Sequence, residues 1–189
     1  MNRQKVRRYV LLMILGVVLN LGLYAVAHFC RLPMWLDSVG TTYTAVVLEP
    51  AAGLVVALAT NFYQAAAFYG MDALFYYFTG ALAALCFGCV LRKENGLCWR
   101  RLPAAAGIYI AAGTLLSGGL SLWRDTGHLD SGWESYFMQW AMEQGAGYGA
   151  GVFFGTLVLK IIDGVILMCL IPILFKLTPK GKNKASVQS

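Results

Sequence analysis

Long apolar runs separated by short polar stretches are the dominant pattern of this chain. Five runs are long enough to be helices in lipid, which takes about 20 apolar residues. They are Tyr9–Phe29, Ala51–Tyr69, Ala73–Leu91, Leu102–Trp123 and Gly151–Leu174. A sixth run, Val39–Leu48, is shorter and stops at Glu49-Pro50. The residue before a proline avoids the helical region. Val39–Leu48 therefore reads as a short second helix that turns at Glu49-Pro50 into the third, with a re-entrant hairpin as the alternative. The pattern predicts an all-α, polytopic membrane protein of six transmembrane helices. Its membrane domain covers residues 1–177, and a polar, disordered cytoplasmic tail covers residues 178–189.

Composition narrows the class. Of 189 residues, 59% are hydrophobic and only 13% charged, with a mean hydropathy of +0.63. These values exclude disorder, a coiled coil and an ordinary water-soluble domain. The formal net charge of +6 does not point to nucleic acid, because apolar runs hold the bases apart in three clusters. The clusters are Arg3, Lys5, Arg7 and Arg8, then Arg92, Lys93, Arg100 and Arg101, then Lys176, Lys180, Lys182 and Lys184. They contain twelve of the fifteen bases, and bases favour the cytoplasmic face. All three clusters fall on one side only if Val39–Leu48 counts as a crossing, which puts both termini in the cytoplasm of a multi-pass cell-membrane protein. The outward segments then carry Asp37, Asp72, Asp125, Asp130, Glu134 and Glu143, together with Trp35, Trp123, Trp133 and Trp140. The semi-apolar stretch Tyr136–Met142 in the long outward loop either lies on the membrane or caps a pocket. Ala25-Val26-Ala27 mimics a signal-peptide cleavage site, but the first run is longer than a usual signal core, and its removal would break the even count.

Helices in lipid meet where small residues let backbones approach. Such lines at four-residue spacing are Gly53, Ala57, Asn61 and Ala65, then Gly80, Ala84 and Gly88, then Gly147, Gly151 and Gly155. Internal packing accounts for most of them; a partner-facing stripe is the alternative. The five cysteines form no disulfide framework, and Cys86-Phe87-Gly88-Cys89 has no nearby His or acid, so core packing is the simpler reading. His28 and His128 are isolated, and the chain calls for neither a metal nor a cofactor.

Polar residues within apolar runs are costly and mark cavities, partners or sites. Lys160 and Asp163 share one face of the last helix and can pair, either as a structural tie or as a pocket floor. Asn61 and Gln64 lie in the outward half of the third helix, where interhelical hydrogen bonding and ligand contact are both open. Trp35, Asp37, Ser38 and Thr41 surround the start of the second helix, and Asp37 or Ser38 can simply cap it. There is no phosphate-binding loop, no HExxH and no nucleophile elbow, so the chain is read as a non-enzyme that does not bind ATP.

The stretch Leu32-Pro33-Met34-Trp35-Leu36-Asp37-Ser38-Val39-Gly40-Thr41 and its continuation, Glu49-Pro50-Ala51-Ala52-Gly53-Leu54 through Ala59-Thr60-Asn61, resemble the pattern of substrate-binding S components of energy-coupling-factor transporters. Asp163 is similar to an acid that such proteins often carry in the last helix, although Gly164 rather than a lysine follows it here. The resemblance implies a six-helix subunit that binds a vitamin or other micronutrient from outside. It also implies docking on a membrane coupling protein with two cytoplasmic ATPases. It places the ligand in the outward half, near Trp35, Asp37, Thr41, Asn61, Gln64, Trp123, Lys160 and Asp163, with the tryptophans stacking on a flat ligand. Docking would use the first helix, where Gly16 and Asn20 stand in place of the usual alanine pair, and the turn at Glu49, which replaces a glycine. A ligand-sensing membrane input protein that signals through a partner is the competing reading, against which the short tail speaks.

Overall fold

A computed structural model describes residues 3–93, 96–124 and 132–178. Their helices are α1 (Arg3–Phe29), α2 (Val39–Val47), α3 (Pro50–Gln64), α4 (Tyr77–Val90), α5 (Leu102–Arg124), α6 (Gly132–Glu143) and α7 (Tyr148–Leu177). A π turn, Ala65–Tyr69, extends α3, and a 3₁₀ segment, Met71–Tyr76, leads into α4. A small antiparallel hairpin, β1 (Arg92–Lys93) and β2 (Gly96–Leu97), joins α4 towards α5. Asp125, His128, Asp130 and the tail from residue 179 lie outside the described residues.

Five helical segments are long and apolar enough to cross a membrane: Arg3–Phe29, Pro50–Tyr69, Ala73–Val90, Trp99–Trp123 and Tyr148–Leu177. They coincide with the five long runs. Helix α1 shows why such segments suit lipid. Its buried residues, Leu12, Gly16, Asn20, Tyr24 and Ala27, make one narrow stripe. The opposite face exposes Val10, Leu11, Ile14, Leu15 and Val18. A helix that is apolar all round needs lipid or protein on every side.

The sixth run is not a full-length span. Helix α2 has nine residues, about 14 Å at 1.5 Å per residue, or half of a hydrocarbon core. Residues Val39 to Val46 are all buried, so the short helix stands inside the bundle. The irregular segment from Cys30 to Ser38 leads into it, and of that segment Leu36 and Ser38 are buried. Non-helical backbone at such depth is tolerable where protein surrounds it. Arg31 and Leu36 adopt positive φ angles of 50° and 56°, a strained conformation that the surrounding contacts hold in place.

Close backbone approach seats α2. A Cβ on Gly40 would overlap the Gly16 carbonyl, and one on Gly16 would overlap the Thr44 hydroxyl. The other small-residue lines are internal as well. Gly53 faces Ala45 and Ala84, Gly80 faces Ala57 and Asn61, and Gly88 faces Pro50. Gly151 and Gly155 receive Met138, Met142 and the Glu134 backbone of α6.

Three contacts gather one end of the bundle. The Tyr9 hydroxyl donates to Glu49 Oε1 at 2.6 Å. The Arg92 guanidinium donates to the carbonyls of Ala45 and Leu48, at the C-terminal end of α2. Trp99 packs edge-on against Phe175, with centroids 5.2 Å apart. The described members of all three basic clusters therefore share this end. At the opposite end, Trp133 Nε1 donates to the Arg31 carbonyl at 2.8 Å, tying α6 to the chain leaving α1.

Candidate functional site

A polar cavity lies in the half of the bundle away from the basic clusters. Its walls come from six segments. The irregular stretch before α2 supplies Trp35 and Asp37, and α3 supplies Asn61 and Gln64, followed by Tyr69 of the π turn. Tyr76 and Thr79 approach from the start of α4, Ser117 and Ser121 from α5, Glu134 from α6 and Lys160 from α7. The cavity volume is about 60 Å³, room for a few waters.

Local structure fixes most of these groups. Asn61 Nδ2 donates to the Ala57 carbonyl at 2.9 Å, one turn back on its own helix. Tyr76 and Ser121 share a hydroxyl hydrogen bond of 3.0 Å that joins the start of α4 to α5. The Ser38 hydroxyl donates to Asp37 Oδ1 at 3.2 Å. Tyr24 and Tyr69 are linked through their hydroxyls, and Trp35 stands 6.4 Å from the Tyr69 ring at 64°. Two aromatic faces thus make a corner on one side of the cavity.

Charged groups share this region, with Asp37, Glu134 and Lys160 in the lining. Lys160, Glu134 and Asp163 are each buried, at 6%, 6% and 5% exposure. The Lys160 stem runs beside Gly113, and its ammonium sits 5.7 Å from the centroid of the Tyr109 ring. It interacts electrostatically with Asp163, Asp37 and Glu134. Asp163 stands behind the cavity wall, where its Oδ1 accepts the backbone N–H of Trp35 at 3.1 Å. That bond pins the irregular segment to the middle of α7.

Of the eight residues that sequence reasoning assigned to a ligand, the cavity brings together Trp35, Asp37, Asn61, Gln64 and Lys160. Asp163 supports the wall from behind. Thr41 is fully buried at the start of α2, accepting a hydrogen bond from Asn20. Trp123 is 69% exposed and packs edge-on against Phe75, away from the lining. The expected docking residues also separate. Gly16 and Asn20 belong to the buried stripe of α1, so they meet α2 and present no surface to a partner, whereas Glu49 is exposed at the turn.

Asn20 has a different task. Its Oδ1 accepts the backbone N–H groups of Gly40 at 2.6 Å and Thr41 at 3.3 Å. Its Nδ2 donates to Thr41 Oγ1 at 2.9 Å and Thr60 Oγ1 at 3.0 Å. Ser38, the residue preceding α2, makes no side-chain capping bond, and α1 supplies the cap instead. Sequence reasoning also missed Tyr76, Ser117, Ser121 and Glu134 as cavity residues. The available signal was the polar spacing of Ser117 and Ser121, one turn apart in an apolar helix. Comparison with known proteins found no matching family model, curated protein or solved structure.

Proposed function

We propose that this chain is the membrane-embedded substrate-capture subunit of an energy-coupling-factor importer. It makes six traverses of the cell membrane, the second of them half irregular segment and half α2, with both termini in the cytoplasm. It takes a vitamin or other micronutrient from outside and docks on a membrane coupling protein driven by two cytoplasmic ATPases. The observation that carries this reading is the cavity, which collects polar side chains from six segments in the half of the bundle opposite the basic end. With the bases inside, that cavity belongs to the outward half. Among the described residues its lining includes serines but neither His nor Cys, which favours capture over nucleophilic catalysis. Glu49, exposed among the bases of the cytoplasmic end, is the accessible member of the expected docking set.

The test is affinity purification of the tagged full chain from native membranes in a gentle detergent, with mass spectrometry of what copurifies. A membrane coupling protein together with two ATPases is the expected result. A signalling kinase in their place, or no partner at all, overturns the importer reading.

A further inference from the structure

A second groove, of about 580 Å³, lies at the basic end of the bundle. Among the described residues, Val46, Val47 and Leu48 line it from the end of α2, and Arg92, Gly96 and Leu97 from the hairpin. Trp99 joins them from the 3₁₀ turn Trp99–Arg101 before α5, and Phe175 from the last turn of α7. Arg92 comes just after the membrane-length segment Ala73–Val90, Trp99 opens the next one, and Phe175 stands near the end of the last. The groove therefore sits where the hydrocarbon core gives way to headgroups. Its apolar wall includes Trp99 and Phe175, which cross edge-on; tryptophan is common at that level.

Arg92 gives the groove its chemistry. Its Nη2 donates to the Ala45 and Leu48 carbonyls, whereas its Nε is buried without a hydrogen-bond partner. The guanidinium makes no further bond among the described residues. It is held at one edge and keeps donors for an acceptor that arrives from the groove. Arg100 and Arg101 are exposed beside Trp99, and Lys176 beside Phe175. Glu49, the acid that follows Leu48, accepts the Tyr9 hydroxyl. A water-soluble anion would leave the apolar wall wet, and an uncharged lipid would leave the guanidinium donors unused. A lipid phosphate satisfies both requirements, since arginine matches phosphate oxygens well. The bases around the rim favour a headgroup without an amine of its own. We infer that this groove binds one anionic phospholipid from the leaflet at the basic end, with its phosphate on Arg92 and an acyl chain along Leu97, Trp99 and Phe175. The site is separate from the polar cavity and does not depend on what that cavity takes.

The purified full chain is reconstituted in phosphatidylcholine nanodiscs with a trace of phosphatidylglycerol that carries a diazirine on one acyl chain. After illumination, labelled peptides are identified by mass spectrometry. Label is expected to concentrate on residues 96–99 and 174–177. Unlabelled phosphatidylglycerol should suppress it, and phosphatidylethanolamine or inorganic phosphate should not. Leu97 faces Arg92 across the hairpin, so Leu97→Glu offers an internal carboxylate to the same guanidinium and leaves its bonds to α2 in place. Leu97→Glu and Arg92→Gln, each checked by gel filtration and helical circular dichroism, should each weaken phosphatidylglycerol competition about tenfold, as loss of a charged hydrogen bond does. Wild-type labelling decides the site even where a variant fails to fold. Equal labelling by diazirine-bearing phosphatidylcholine overturns the selectivity and leaves an ordinary lipid contact. Suppression by inorganic phosphate makes this an anion site and overturns the lipid. Label spread evenly over the exposed helix faces, or a groove left unlabelled in a chain that is dimeric by native mass spectrometry, overturns the proposal; the second result assigns the face to another copy of the chain.

Discussion

Asn20 holds four hydrogen-bonding groups at once, and each depends on its exact chemistry. Its carbonyl oxygen faces two backbone N–H groups at the start of α2, and its amide nitrogen faces Thr41 and Thr60. In Asn20→Leu these buried groups lose their partner, and each buried unsatisfied group costs about 1–3 kcal/mol. Loss of about 2 kcal/mol or more is expected, read as a lower midpoint of thermal unfolding in detergent. Thr60→Val removes a single acceptor and should cost only about 1 kcal/mol. Equal effects of the two substitutions would deny Asn20 its role as the cap of α2. The sequence alone pointed this residue outward, at a partner, because its true partners lie 20, 21 and 40 positions away. Lys160, Asn61 and Gln64 were legible for the opposite reason. A polar group in an apolar run is costly wherever it points, so its position alone marks an interior site.

At the scale of elements, the packing of α6 on α7 is open to a direct test. It packs along the first turns of α7, with its Glu134 carbonyl against Gly155 and Met138 and Met142 against Gly151. One tie to the chain leaving α1 is the Trp133 indole on the Arg31 carbonyl. A side chain at Gly155 has to displace α6, because even a Cβ there would overlap the Glu134 carbonyl. Gly155→Leu should therefore lift α6 and withdraw Glu134 from the cavity while the remaining helices stay folded. The expected readout is new protease cleavage within residues 132–147 at nearly unchanged helical circular dichroism. The expected destabilisation is about 1–3 kcal/mol, the usual cost of overpacking. Continued protection of that segment would contradict the packing. The long helices were legible because hydropathy alone defines them. Helix α6 was only half legible: Tyr136–Met142 showed its apolar character, but its docking on α7 follows from the shape of a glycine groove, which no periodicity announces.

For the whole molecule, the decisive question is which end faces out. The Tyr9–Glu49 bond, the Arg92 bonds to the end of α2 and the Trp99–Phe175 contact collect the basic clusters at one end. The chain returns to that end after α1 because the irregular segment from Cys30 and the half-length α2 together span the bundle. The proposed function takes this end as cytoplasmic, on the charge bias of its bases. Native cysteines report on both ends. Cys30 is exposed where α1 ends, on the side of Arg31 and Trp133, and Cys98 is half-exposed between β2 and the Trp99–Phe175 contact. Two proteins, each keeping one of these cysteines with the other four replaced by serine or alanine, are treated in intact cells with a membrane-impermeant maleimide. Cys30 should label from outside, whereas Cys98 should label only after the membrane is opened. The reverse pattern would invert the orientation and put the cavity on the cytoplasmic side, where it could not capture a nutrient from outside. Labelling of both from outside would mean that the ends defined by these contacts are not separated by the membrane, and the half-helix traverse would fall with them.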